Sequence, residues 1–119
     1  TPLSKKLTSD EIESKLKEVE KAVYYGLADE RSKWNYIVFS RQKARCSQNK
    51  TGDTMYYSVA IVRENYIEEG IEGKIIKKLE EIPGMKRAQN DISYSYVKKP
   101  NTNVVIEVAE IIFCKAVKI

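Results

Sequence analysis

Apolar positions near the start of the chain recur at helical spacing. The stripe consists of Ile12, Leu16, Val19 and Val23. Charged residues separate these positions, which is the pattern of a helix with one buried side. Gly26 follows the stripe and can supply the left-handed residue that ends a helix. The pattern therefore predicts an amphipathic helix over about 9–25.

Two segments after this helix favour strands. Residues 34–40 form a short run of β-branched and aromatic side chains, too brief for a helix, and residues 54–63 alternate along TMYYSVAIVR. The polar stretch 41–53 joins them as a hairpin loop. Unstructured loops longer than about 12 residues are often functional, so this loop is a candidate arm.

The second half of the chain predicts one more helix and two more strands. Residues 68–81 carry apolar side chains at helical spacing, and Pro83-Gly84 ends that helix. Residues 91–96 alternate as a strand, the polar turn 98–103 follows, and 104–115 form a long β-branched strand. The apolar stripe of the second helix consists of Ile71, Ile75, Leu79 and Ile82.

The order α-β-β-α-β-β predicts an α+β fold. Each helix has one apolar stripe to bury, so we expect a two-layer sandwich with both helices on one face of a four-stranded, mostly antiparallel sheet. We expect the tyrosines at 56, 94 and 96 to contribute to a mixed surface on the other face, depending on register. No linker or repeat divides residues 1–119, so we expect a single domain, with 1–6 as a flexible tail.

Composition narrows the chemistry available to this domain. Histidine is absent, which removes imidazole-based nucleophile systems and the usual zinc ligand sets. Cys46 and Cys114 are far apart in sequence and fit neither a CxxC metal motif nor a dense disulfide framework. With no apolar secretory leader at the start, we expect a protein made in a reducing cytosol, with no membrane span and no cofactor. We do not expect an enzyme.

The net charge of +4 is concentrated in one segment. The segment 41–52 contains four cations and no acidic residue, and Asp53 follows it. The cations are Arg41, Lys43, Arg45 and Lys50. Such a loop can grip phosphates while neighbouring tyrosines stack on bases, which makes a nucleic-acid-binding accessory protein the alternative function. The simpler interpretation is a solvated loop at a hairpin tip.

Carboxylates offer a weaker alternative. Glu64, Glu68, Glu69 and Glu72 have a spacing from which Mg²⁺ can take ligands, which makes a metal-dependent hydrolase a further alternative. The simpler interpretation is a helix N-terminus that favours negative charge. We therefore expect no metal site and no catalytic residue.

Four blocks of the sequence resemble a known family. They are WNYIVFSR at 34–41, YYSVAIVRENYIEEG at 56–70, IIKKLEEIPGMKRA at 75–88 and DISYSYVKKPNTNVVIEVAEIIFCK at 91–115. Together they resemble small proteins encoded in the head-tail joining and tail region of phages and prophages of Gram-positive bacteria, in the manner of tail-terminator or tail-completion proteins.

This resemblance implies a structural role in the virion. Proteins of this kind form a homo-oligomeric ring, usually a hexamer, that closes the head-proximal end of the tail tube and docks to the neck or connector. The partners implied are further copies of the chain, the tail tube protein and neck proteins, with DNA passing through the ring. The chain would be made in the host cytoplasm and end in the tail or neck of the virion. The family supplies no catalytic residue.

The segments expected to make these contacts are the basic loop, the exposed tyrosines and the polar turn. The candidate interaction residues are Arg41, Lys43, Arg45, Lys50, Tyr56, Tyr94, Tyr96, Lys98, Lys99 and Asn101.

Overall fold

A computed structural model describes residues 8–27, 34–46, 52–88 and 91–118. The predicted tail 1–6 lies outside these ranges. The elements are α1 (Thr8–Lys17), β1 (Val23–Tyr25), β2 (Tyr36–Cys46), β3 (Gly52–Glu64), α2 (Ile71–Glu80), β4 (Met85–Arg87), β5 (Ser93–Lys98) and β6 (Val105–Lys118). Neither of the two helices is long and apolar enough to cross a bilayer.

The six strands form one mixed sheet. Its order is β1-β2-β3-β6-β4, and β5 also pairs with β6. β1 runs parallel to β2, whereas every other pairing is antiparallel. β4 and β5 share the outer edge of β6, because β4 pairs with residues 113–115 and β5 with residues 105–110.

The predicted four-stranded sheet and the order α-β-β-α-β-β are therefore wrong. The two additional strands, β1 and β4, have three residues each and are too short to show an alternating pattern. β1 arises from the end of the predicted first helix. That helix ends at Lys17, and the chain turns before Val23 joins the sheet, where the Ile37 N–H donates to the Ala22 carbonyl at 2.9 Å. Val23 is buried, as its place in the apolar stripe required, but as a strand residue.

The predicted loop 41–53 is mostly strand. β2 continues to Cys46 and β3 begins at Gly52, so only residues 47–51 between them lie outside the described part of the chain. The side chains of this segment are polar, so they show no alternation of apolar and polar positions. Backbone pairing does not require such alternation, and Arg45 pairs with Thr54 across the two strands. A register shift between Arg41 and Lys43 marks a β-bulge in β2.

The second helix begins later than predicted. Gly70 has a φ of 93°, a left-handed conformation that suits glycine, and precedes the first helical residue, Ile71. At the other end, Gly84 turns the chain with a φ of 84° directly into β4. The Pro83-Gly84 signal therefore marks the end of the helix as predicted and the start of a strand that the sequence analysis missed.

The core lies between the two helices and one face of the sheet. Strand residues at alternate positions point to this side, and both helices bury their apolar stripes against them. The fully buried members include Ile12, Leu16, Ile37, Val59, Ile61, Ile75, Leu79, Ala109, Ile111 and Phe113. We call the opposite side of the sheet, on which neither described helix packs, the open face.

Among the described residues, one charged side chain is buried. It is that of Arg63, with 5% of its surface exposed. Its guanidinium donates to Glu20 at 2.7 Å and lies 3.5 Å from Glu68. A buried guanidinium needs such partners because leaving it unpaired is costly. The contact ties the segment after α1 to the end of β3 and to the approach to α2, and so fixes both helices on the sheet.

We expect Phe113→Ala to destabilise the fold by about 3–5 kcal/mol, because it removes a fully buried aromatic side chain from the strand that most of the sheet pairs with. Val105→Ala on the same strand is the matched control, since Val105 is exposed, and it should change stability by no more than about 0.5 kcal/mol. Urea unfolding followed by circular dichroism measures both. Equal losses for the two variants would contradict the assignment of the core.

Candidate interaction surfaces

The basic segment lies at one end of the sheet. We define the arm as residues 41–46 of β2 and 52–57 of β3, which extend beyond β1 and whose β3 part is also paired with residues 113–118 of β6. Arg41, Lys43 and Arg45 are all exposed on it. Lys50, the fourth predicted cation, lies outside the described residues. The structure thus places three of the four cations on paired strands instead of on a free loop.

Tyr56 lies beneath two of these cations. The Lys43 Nζ is 4.8 Å from the centre of the Tyr56 ring, and the Arg45 Cζ is 5.8 Å from it. Cations at such distances are attracted by the negative face of an aromatic ring. Lys43, Arg45 and Tyr56 therefore form one cluster on the open face, and the expected proximity of loop cations and Tyr56 is found in the structure.

The β-bulge separates Arg41 from this cluster. Arg41 pairs with Tyr57, whose side chain is buried in the core, whereas Lys43 pairs with Tyr56 on the open face. Arg41 accordingly lies on the helix side of the sheet, where its Nε donates to the Tyr25 hydroxyl oxygen at 3.0 Å. The basic run is divided between two faces, which no spacing rule could reveal without the position of the bulge.

Tyr94 and Tyr96 lie on the helix side of the sheet, opposite to the face that carries Tyr56. In the register, Tyr94 is paired with the buried Ala109 and Tyr96 with Glu107. The expectation that these tyrosines share a surface with Tyr56 is therefore wrong. The reason is register, because a shift of one residue moves every side chain of a strand to the other face.

Both β5 tyrosines bind carboxylates. The Tyr94 hydroxyl donates to Glu72 at 2.5 Å, and this hydrogen bond, with a contribution from burial, raises the pKa of Tyr94 from 10.0 to about 12. A hydrogen bond to Glu107 raises the pKa of Tyr96. Even so, both rings remain about half exposed or more, at 47% and 63%. β5 therefore presents aromatic surface next to negative charge.

The turn 98–103 is held by bonds of its own. Thr102 Oγ1 donates to the Lys99 carbonyl at 2.9 Å and accepts from the Val104 N–H at 3.1 Å, while Asn101 takes the left-handed conformation with a φ of 62°. The Lys99 Nζ lies 3.2 Å from the Glu64 Oε1, with which it forms an ion pair. Three candidate interaction residues lie in this turn. Lys98 and Asn101 are exposed, whereas Lys99 is engaged within the chain.

Three of the four glutamates with a spacing that could suit Mg²⁺ are engaged separately. Glu64 pairs with Lys99, Glu68 with Arg63, and Glu72 accepts from Tyr94. Within the described ranges, no group of three or more histidine, cysteine, aspartate or glutamate side chains is arranged to hold a metal ion.

One exposed apolar patch lies where the sequence pattern predicted a helix. Tyr25 and Leu27, at the end of β1, are 47% and 86% exposed. The Tyr25 ring lies 5.1 Å from that of the buried Phe39 and carries the hydrogen bond from Arg41. The helix predicted over this segment concealed the patch. The adjacent pair of tyrosines followed by Gly26 was the available signal for a strand and a turn.

Comparison with known proteins identifies a shared fold. No family model matches this chain, and no curated protein matches it. Among solved structures, the chain is similar to one from the virion of a native gene transfer agent particle. The two are 6% identical with a TM-score of 0.53, and the match covers 93% of this chain and 91% of the other. The likeness extends over nearly the whole of both chains and is a likeness of fold.

The raised pKa of Tyr94 predicts an alkaline loss of stability. Because the folded state favours the protonated phenol, its contribution is fully present below pH 10.0 and is lost as the pH rises towards about 12. In Tyr94→Phe, stability below pH 10 should be lower and its decrease over this window smaller than in the native chain. Urea unfolding at a series of pH values measures both, and parallel curves for the two proteins would contradict the Tyr94–Glu72 contact.

Proposed function

We propose that this chain is a structural protein of a phage or phage-like virion, located at the head-tail junction, where copies form a ring that caps the tail tube and docks to the neck. The observation that carries the proposal is the fold shared with a chain of the gene transfer agent virion over 93% of this protein. The four sequence blocks that resemble tail-terminator and tail-completion proteins support the finer assignment to the junction.

The architecture suits a part that is built into an assembly. β3 and β6 pair along 13 residues each, from Gly52–Lys118 to Glu64–Ile106, and give the body a rigid axis. The molecule measures 51 × 34 × 24 Å and is therefore elongated. Rigid subunits lose little conformational freedom when they associate, which favours a stable ring.

The arm is the part that we assign to contact beyond the ring. Lys43 and Arg45 present positive charge near its end, and cations at the rim of an interface steer a partner of opposite charge. In the proposed assembly the arm meets an acidic surface of a tube or neck protein. DNA passing through the ring is the other negatively charged neighbour that this position allows.

Two measurements test the proposal. Mass photometry and negative-stain microscopy of the purified chain should show rings, with a hexamer expected. Quantitative mass spectrometry of purified particles should find the protein at a fixed ratio to the tail tube protein, consistent with one ring per particle. A chain that stays monomeric at every concentration and is missing from the particles would rule the assignment out.

The alternative, a nucleic-acid-binding accessory protein, is favoured by one specific feature. Lys43 and Arg45 lie over Tyr56, so positive charge and an aromatic ring share the open face, and single-stranded nucleic acids bind to that combination. Arg41 lies on the other side of the sheet, which leaves two described cations for a strand bound on this face.

If the arm binds nucleic acid, affinity for single-stranded DNA should fall with salt according to the number of phosphates neutralised. The two cations on the open face predict a loss of about 7-fold between about 50 and 200 mM salt, and replacing Lys43 and Arg45 together with Arg41 by alanine should abolish this dependence. Fluorescence anisotropy with a labelled single strand measures it.

The matched control replaces Lys21, Lys74 and Lys77 with alanine. These lysines are exposed and lie outside the arm, and their replacement removes the same net charge. Equal weakening by both triple variants would indicate a general charge effect. Binding that is absent at low salt would eliminate the nucleic-acid alternative and leave the acidic protein surface as the partner of the arm.

A further inference from the structure

Exposed apolar side chains gather at two opposite margins of the sheet. At one margin, which we call the β1 edge, Tyr25 and Leu27 are exposed. At the other, the β5 edge, the exposed side chains are Tyr94, Tyr96 and Val97. β1 and β5 are separated by β2, β3 and β6, so the two patches belong to different surfaces. Exposed aromatic residues of this kind are enriched where proteins meet.

The β5 edge has few of the features that normally protect an outer strand. All six residues of β5 are exposed, its register with β6 has no shift, and Ser93–Val97 contains neither proline nor charge, so that Lys98 at its end is the one charged residue of the strand. The outer part of β2, in contrast, carries a bulge and a row of cations, which are common means of preventing strand addition. β5 is therefore the edge that is open to pairing with another strand.

The two edges carry opposite charge beside their tyrosines. Arg41 binds the Tyr25 hydroxyl at the β1 edge, whereas Glu72 and Glu107 accept hydrogen bonds from Tyr94 and Tyr96 at the β5 edge. All these contacts lie on the helix side of the sheet. Two copies placed side by side would thus bring a tyrosine with a cation against tyrosines with carboxylates, which gives the contact electrostatic complementarity.

The directions of β1 and β5, and their positions along the strand axis, also allow the two edges to pair. β1 is parallel to β2, and the steps from β2 to β3, β6 and β5 are each antiparallel, so β1 and β5 run in opposite directions. They also lie at the same level. The row of paired residues that joins them is Val23, Ile37, Ile61, Ala109 and Tyr94. A second copy rotated about an axis along the strands therefore brings its β1 antiparallel to β5 without a shift.

We infer that β5 of one copy pairs laterally with the β1 edge of a second copy of this chain. The two surfaces differ and lie at one height, so successive copies are related by a rotation without translation. Such a rotation closes into a ring when its angle is a whole fraction of a full turn, which is 60° for the expected hexamer. A strand of three residues supplies few backbone hydrogen bonds, so the tyrosines and the charged groups beside them contribute much of the contact. The inference rests on the proposed ring and names the surfaces that build it.

Complementary edge variants test this contact. A β5-edge variant carries Tyr94→Lys and Tyr96→Lys, which place cations on the helix side of the sheet, towards Arg41 of the neighbour. A β1-edge variant carries Tyr25→Glu and Leu27→Glu, which place acids towards Glu72 and Glu107. Each variant alone should associate at least about tenfold more weakly than the native chain, as measured by analytical ultracentrifugation, because every contact in a ring of identical copies contains one altered edge.

Mixing the two variants provides the decisive measurement. Each retains one native edge, so the mixture should recover association in a 1:1 ratio, whereas neither variant assembles alone. If β5 instead pairs with β5 of another copy, the β1-edge variant would assemble by itself and the inference would be overturned. Ser14→Lys, on the exposed side of α1, is the control for an added charge and should assemble normally. Circular dichroism confirms that each variant is folded.

The outcomes separate this inference from the proposed function. Native rings together with edge variants that also form rings would overturn the lateral contact and leave the ring intact. A native chain that neither assembles nor enters particles would overturn both. If native chains assemble only on the tail tube, the same variants are compared by their incorporation into particles, where each alone should be depleted and the pair expressed together should be restored.

Discussion

The structure depends on the antiparallel pairing of β3 with β6. These strands are the longest of the described chain and occupy the middle of the sheet, so their alternation decides which side chains face the helices and which face outwards. Ile61 and Phe113 point into the core because of this register, and Tyr56 points away from it for the same reason. Every surface assigned to assembly inherits its position from that ladder.

The sequence was sufficient to locate a helix or strand where the element is long and buries one side, because the apolar positions then form a long regular pattern. Helical spacing located α2 to within a few residues, and alternation located β3 and most of β6. It failed where elements are short or polar. Val23 satisfies the spacing of a helix and is equally buried in a three-residue strand, and Arg45 lies in the outer part of β2, where residues 41–45 are all exposed. Burial produces the sequence signal, and backbone pairing alone does not.

For the candidate surfaces, the sequence predicted which residues are involved better than it predicted how they are arranged. Cations and tyrosines can be read from the chain, but their grouping requires the register of strands that are distant in sequence. Tyr56 and Tyr94 are a clear example, since both belong to alternating segments and yet occupy opposite faces. The division between an arm that reaches outwards and edges that meet neighbouring copies likewise became visible only when all the strands were placed in order.

The bulge in β2 adds one residue, Gln42, to one strand of the arm and none to its partner. Because the pairs on both sides of it are regular, removing Gln42 leaves Arg41 opposite Tyr57 and Lys43 opposite Tyr56. Charge and aromatic neighbours would be unchanged, but the bend and extra twist that a bulge imposes would disappear. The bulge residue thus sets the direction of the arm, whereas Lys43, Arg45 and Tyr56 set what the arm can bind. Insertion or loss of one residue at the bulge can change that direction and leave the cluster intact.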